Sequence, residues 1–470
     1  MKHKTLKHLQ NQYFSATSAC LTGVLCGSCL MWVTPILPKL QGQDAIVLMT
    51  TTEISWLVSI FELGSLISAV PSGVAANYWG RKTVLLSGFP FIIGSWALIL
   101  FLQTVIGFYI ARLLQGMAIG ITGTVINIYV SEICSANVRG GFTASIQTLF
   151  YLGVFFQYIT GSYLSYNLNI YINVVVTNAL YLFIFLFEPE SPYFLMAIKK
   201  PEAARNNIEL LRGSNATVED IDKEFMQVKE SVEMETRSQG KWTDLVATSA
   251  DRRVLLITQT LVAVRLMSGT MVISSYLNAI LNLTIDNKEP INSHDYLVIF
   301  SSVTFVTIVL TTFLVDTIGR RPLLLTSLVG CTVVHFSLSL FYFCFFNPDY
   351  CPTSFTPSHN HLPPILLVAY AFFFSIGAGP VTQTLQSELF PSHTRCYGSV
   401  ISVLNLTLTG LFTLRSYQII VDWFGLYMNF ALYGTACLLS FIFTYFFVPD
   451  TKGKTLLEIR TYFNDKSRNR

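Results

Sequence analysis

Charge is scarce in this 470-residue chain. Only 12% of its residues are Asp, Glu, Lys or Arg, about half the share in an ordinary soluble domain. With 52% hydrophobic residues and a mean hydropathy of +0.52, that scarcity excludes a water-soluble globular chain. The net charge of +3 is small and spread between segments, so no nucleic-acid partner is expected. The nine cysteines are scattered, several of them inside apolar runs such as "ACLTGVLCGSCL", and the only close spacing is the weak pair Cys26 and Cys29. This argues against a disulfide framework and against a metal site. The seven histidines form no pattern with carboxylates, so neither an enzyme nor a cofactor is expected. A cleavable leader is not expected either. "MKHKTLKHLQ" is basic, but the apolar run behind it is too long and ends without a small-residue cleavage site, so it reads as a retained first span.

What the chain has is long apolar runs. A bilayer core of roughly 30 Å takes about 20 apolar residues as a helix. On that ruler spans fall near 14–35, 54–76, 83–102, 105–130, 142–164 and 170–187, then near 253–280, 296–316, 322–346, 363–389, 397–421 and 426–448. Between the two sets, residues 188–252 are charged and helically spaced with no stretch able to cross. The expected fold is an all-α membrane protein of twelve transmembrane helices. It comprises six-helix bundles at 1–187 and 253–448, a cytoplasmic helical linker at 188–252 and a cytoplasmic tail at 449–470.

If the spans alternate, Arg81, Lys82, Arg139, Arg320, Arg321 and Arg395 all fall at one side, which the positive-inside rule makes cytoplasmic together with both termini. The opposite loops carry few cations, and one holds the sequon "NLT" at Asn282, an expected glycosylation site. Asn215 is expected in the cytoplasm and Asn405 within a span, so their sequons are poor acceptors. The halves also repeat each other. "NYWGRK" is answered by "DTIGRRP" about 240 residues later, "YVSEICSANVRGG" by "LQSELFPSHTRCYG" about 256 later, and "FEPESPYFL" by "FVPDTKGKTLLEI" about 260 later. Six spans repeated in the same orientation are the usual basis of alternating access.

The set "GRK", "ARLLQGMAIG", "EICSANVRG", "PESP", "DTIGRRP", "ELFPSHTR" and "VPDTKGKTLLEI" resembles the sugar porter family of the major facilitator superfamily over nearly the whole chain. "SWLVSI" and the short termini are most similar to insect facilitative trehalose and glucose transporters. The resemblance implies the major facilitator fold and an inner-face lock. In it Glu132 and Arg139, then Glu388 and Arg395, flank matching turns, with Arg81, Arg320 and Arg321 in reach and Glu190 and Asp450 as further acidic partners. The plainer reading is that these cations only fix topology. Asn77 and Ser135 stand where the family usually has an acid and a proline, which implies a weaker lock in the first half.

The same resemblance implies a substrate cavity lined by Gln147, Arg265, Thr304, Gln383 and Asn405. Gln147 matches the family's fifth-span glutamine. Elsewhere the site departs from it. "QQLSGIN" becomes "RLMSGTM", replacing paired glutamines by Arg265 and Leu266 and an asparagine by Met271. Thr304 replaces an asparagine, "GPGPIPW" becomes "GAGPVTQ" with Gln383 at the tryptophan, and "NW" becomes Asn405 and Leu406. Arg265 lies about 12 residues past Arg253, roughly 18 Å into the bilayer, where an ionised side chain is costly and usually functional. Two more charges, Glu62 and Arg415, fall at matching depth in the second and eleventh spans, where they either pair as an outer gate or line an outer vestibule separately. Three readings follow: a facilitative carrier of a neutral sugar, trehalose or hexose; a carrier of an organic anion or other solute through Arg265; and a non-transporting sensor on the same fold. The first span has no Asp or Glu, where proton-coupled members usually carry one.

Overall fold

The computed structural model describes residues 12–40, 46–213, 217–237, 242–283, 292–347, 350, 361–390 and 395–449. All regular structure among them is helical. Eleven helices are long and apolar enough to cross a membrane: Gln12–Leu40, Thr51–Trp79, Arg81–Phe101, Val105–Ile133, Gly141–Tyr163, Ser249–Asn282, Ser293–Val315, Arg320–Phe346, Leu362–Gln386, Tyr397–Phe424 and Leu426–Phe447. A twelfth, Tyr166–Phe187, occupies the sixth expected span. The twelve-helix architecture thus follows the apolar runs, with bounds shifted by a few residues. Tyr78, Trp79, Phe101 and Trp423 stand exposed at helix ends, where aromatic rings suit the interface between lipid and water. Cys344 is disulfide-bonded, so a bridge is present where no disulfide framework is expected.

Two long spans are broken where the backbone demands it. The seventh runs as Ser249–Met267 and Thr270–Asn282. Gly269 between them has φ +81, and a Cβ there would lie 2.6 Å from the Tyr433 ring. Breaking a helix frees carbonyls that must find donors in lipid. The Ser268 carbonyl has two, His335 Nε2 at 3.0 Å and the Tyr370 hydroxyl at 3.0 Å. The tenth span ends its first stretch at Ile376 and resumes at Pro380, whose missing N–H suits a first turn.

The chain divides into two compact units. One comprises Met1–Leu30, Leu63–Val154 and Tyr166–Gly240; the other comprises Met31–Glu62, Phe155–Ser165 and Lys241–Arg470. In the first unit the linker forms helices Pro192–Ala197, Pro201–Arg212 and Val218–Arg237. They bury Ile208, Ile221 and Val228 among Tyr193, Met196, Phe225 and Val232, a small apolar core of their own. The linker is also fastened to a span. Arg212 pairs with Glu224 at 2.8 Å, and its Nη1 donates to the Ile133 carbonyl at 3.3 Å.

Candidate functional site

At the arginine-bearing end of the first unit, Gly80 adopts φ 99 and ψ 158, a region that favours glycine, and starts the helix at Arg81. The Arg81 guanidinium then faces Glu132: Nη2 donates to Oε1 at 3.0 Å and Nε lies 3.0 Å from Oε2. Nη1 reaches back to the Ala76 carbonyl at 3.0 Å, and the group sits 5.4 Å from the centre of the Phe194 ring. The Ser191 hydroxyl donates to Glu132 as well. Glu190 plays a different part from the expected one. Its Oε1 accepts the backbone N–H groups of Arg81 at 3.0 Å, Lys82 at 3.1 Å and Ser191 at 2.9 Å. It caps a helix start instead of neutralising a guanidinium. The Asn207 side chain donates to the Glu190 carbonyl at 2.8 Å, tying the linker to the same knot.

The second unit repeats the geometry. Gly319 has φ 107 and ψ 160, and Arg320 Nη1 reaches the Val315 carbonyl at 3.2 Å, the same five-residue step that Arg81 takes to Ala76. Arg321 donates to the Tyr445 carbonyl at 2.6 Å and lies over the Tyr445 ring. The side chains of Arg139, Glu388 and Arg395, and the whole of Asp450, lie outside the described residues.

Within the spans, Arg265 is half-buried and Gln383 is exposed. Thr304 is buried and donates to the Phe300 carbonyl of its own helix at 2.8 Å. Asn405 is held by Gln259, donating to its carbonyl at 2.9 Å and its Oε1 at 3.1 Å, while Gln259 donates to Ser402 at 2.8 Å. In the first unit Gln147 is half-buried. Arg112 was not singled out by the sequence reading. It is 1% exposed, and its Nη1 donates to the carbonyls of Cys29 at 3.0 Å and Leu30 at 3.3 Å and to Gln115 at 3.3 Å. Its signal was an arginine inside the apolar run 105–130. Glu188 was missed too. It is 4% exposed and accepts a hydrogen bond from Ser18, and burial pushes its carboxyl above the usual range against the pull of Ser18 and Lys82.

At the opposite end, within the second unit, the Thr34 and Tyr158 hydroxyls both donate to the Ser274 carbonyl, at 3.1 and 2.7 Å, on the second stretch of the broken seventh span. Tyr163 donates to Asp295 at 2.5 Å. Arg415 donates to Ser55 at 2.9 Å and stands 4.5 Å over the Trp56 ring. Glu62 is 7% exposed, with its carboxyl against Gly410. Asn282 is exposed at the end of its helix.

A family model described as "Sugar (and other) transporter" matches residues 4–463. The chain is similar to the facilitated trehalose transporter Tret1 of Drosophila virilis, 27% identical over 96% of this chain and 48% of that protein. It is also similar to the sugar transporter ERD6-like 6 of Arabidopsis thaliana, 28% identical over 88% of this chain and 83% of that one. It spans about half the length of the Drosophila relatives it matches. Among solved structures, the inward open xylose transporter XylE from E. coli covers 96% of this chain, and the chain covers 99% of it, with a TM-score of 0.74 and 20% identity.

Proposed function

Because the chain belongs to the sugar (and other) transporter family, we propose that it carries a sugar, trehalose or a hexose, down its gradient across a membrane by alternating access. The observation that carries this reading lies within the spans. Gln147 and Gln383 hold neutral hydrogen-bonding groups at accessible positions and make no hydrogen bond to other described residues. Unpaired amides inside an apolar span are costly unless they meet water or a polar solute. Sugar hydroxyls are partners of that kind. The first span, Gln12–Leu40, contains no Asp or Glu, so carriage without proton coupling is expected.

In this reading the Arg81–Glu132–Ser191 network and its counterpart around Arg320 and Arg321 steady the cytoplasmic ends of the spans. Arg139, Glu388, Arg395 and Asp450 are assigned to the same inner gate, and Glu62 and Arg415 to the outer one. The plasma membrane, cytoplasmic termini and a glycan on Asn282 complete the proposal. The test is uptake by the purified protein in liposomes of labelled trehalose and glucose. Saturable uptake that is unchanged by an imposed pH gradient is expected. Reconstituted, folded protein that leaves both sugars at the rate of empty liposomes would refute the reading.

A further inference from the structure

Three arginines lie well inside spans of the described structure, and two of them are satisfied by the protein. Arg112 is held by two carbonyls and Gln115. Arg415 is held by Ser55 and the Trp56 ring. Arg265 is different. It stands 16 residues after Ser249 and 17 before Asn282, at the middle of the seventh span, and its guanidinium makes no hydrogen bond or ion pair with any described residue. Among the described acids of its own unit, Asp295 is engaged with Tyr163, Asp251 with Thr248, Glu53 with Thr50 and Asp422 with Gln418. Glu62 lies against Gly410. A cation at that depth is too far from either interface to snorkel, so it needs water or an anion brought to it.

We propose that Arg265 selects solutes that carry an anionic group, so that the preferred substrate is a monosaccharide bearing a carboxylate or a phosphate. This rests on the carrier reading above and moves its preferred solute from a neutral sugar to a charged one. A guanidinium offers a planar fork of N–H donors that fits a carboxylate or phosphate through two parallel bonds, whereas a single hydroxyl fills only one. The side chains assigned with it in its own unit, Thr304, Gln383 and Asn405, are neutral and suit hydroxyls. One fixed cation among neutral groups matches a polyhydroxylated solute with one anionic end. The depth of Arg265 rules out a lipid headgroup as the anion.

The experiment uses the full chain in liposomes and in detergent. Exchange of labelled glucose is competed with glucose, trehalose, glucuronate and glucose 6-phosphate, and binding of the same four is read by thermal shift. Glucuronate or glucose 6-phosphate is expected to compete, and to stabilise, at concentrations about tenfold lower than glucose, the factor that a charge-assisted pair typically gives over a neutral one. Preference for one of the two anions identifies the carboxylate or the phosphate. Arg265→Gln is expected to bring the anion-to-glucose ratio to about one, and Arg265→Lys to leave it in between. Equal potency of charged and neutral sugars in the native chain overturns the proposal, as does a preference that survives in Arg265→Gln. If no sugar moves, the carrier reading fails, and thermal shift still decides the role of Arg265. If Arg265→Gln does not fold, Arg265→Lys and the native ratio decide it.

Discussion

Glu188 and Glu190 stand two residues apart in "EPESP" and behave in opposite ways. Glu190 is stabilised by three backbone N–H groups, so Glu190→Ala should cost about 1 kcal/mol, as the loss of a helix cap does. Glu190→Gln, which keeps one oxygen, should cost less. Thermal unfolding in detergent orders the two, and equal losses would contradict the capping role. Glu188 is buried with its carboxyl pushed above the usual value of 4.5. An acid whose folded pKa is raised contributes stability that is complete below its unfolded pKa and lost as pH rises through the folded one. Glu188→Gln should therefore gain on the native protein as pH rises above about 4.5, and parallel melting curves from acid to neutral pH would exclude this. The sequence placed Arg81, Glu132 and Glu190 at one end because like motifs recur at like places in each half. It could not say which acid meets a guanidinium and which meets backbone, because that depends on chain packing 109 residues away. Arg112 went unread because its partners beyond Gln115 are carbonyls of another helix, and a carbonyl has no letter in the sequence.

At the scale of elements, span number and order were legible because the bilayer imposes a length that apolar runs must match. The breaks were not. The seventh span is 34 residues long and apolar on both sides of Ser268–Gly269, so hydropathy runs straight through it. What fixes the break is tertiary: the left-handed Gly269 against Tyr433, and His335 and Tyr370 on the Ser268 carbonyl. Gly269→Ala should therefore be severe. It combines a left-handed strain of about 1 kcal/mol with a Cβ 2.6 Å from an aromatic ring. Lowered melting temperature and loss of sugar exchange are expected, with partial recovery when Tyr433→Ala makes room. A Gly269→Ala protein with native stability would show that the break is not fixed in this way.

For the whole molecule, residues 31–62 and 155–165 join the second unit through Thr34, Ser55, Trp56, Tyr158 and Tyr163. The sequence matched Glu62 to Arg415 by depth and by their place on the second and eleventh spans. Arg415 meets Ser55 and Trp56, residues earlier on the same helix as Glu62, since a planar cation can lie on an indole face as well as beside an acid. Trp56→Ala and Arg415→Gln should each destabilise, and the double variant should cost less than their sum by about 0.5–2 kcal/mol, the coupling of a cation over an aromatic face. Strict additivity of melting free energies would dissolve the pair. The capped turn at Gly80–Lys82 also bears on how the chain is made. Its cap, Glu190, follows Arg81 by 109 residues, so a ribosome adding about 5–20 residues per second delivers it some 5–20 s later. Until then the third span has no Glu190 carboxylate over its first N–H groups, and only its cations mark that end. The order of translation thus separates two events that the finished protein shows as one: orientation by charge comes first, and closure by hydrogen bonds waits for the end of the sixth span.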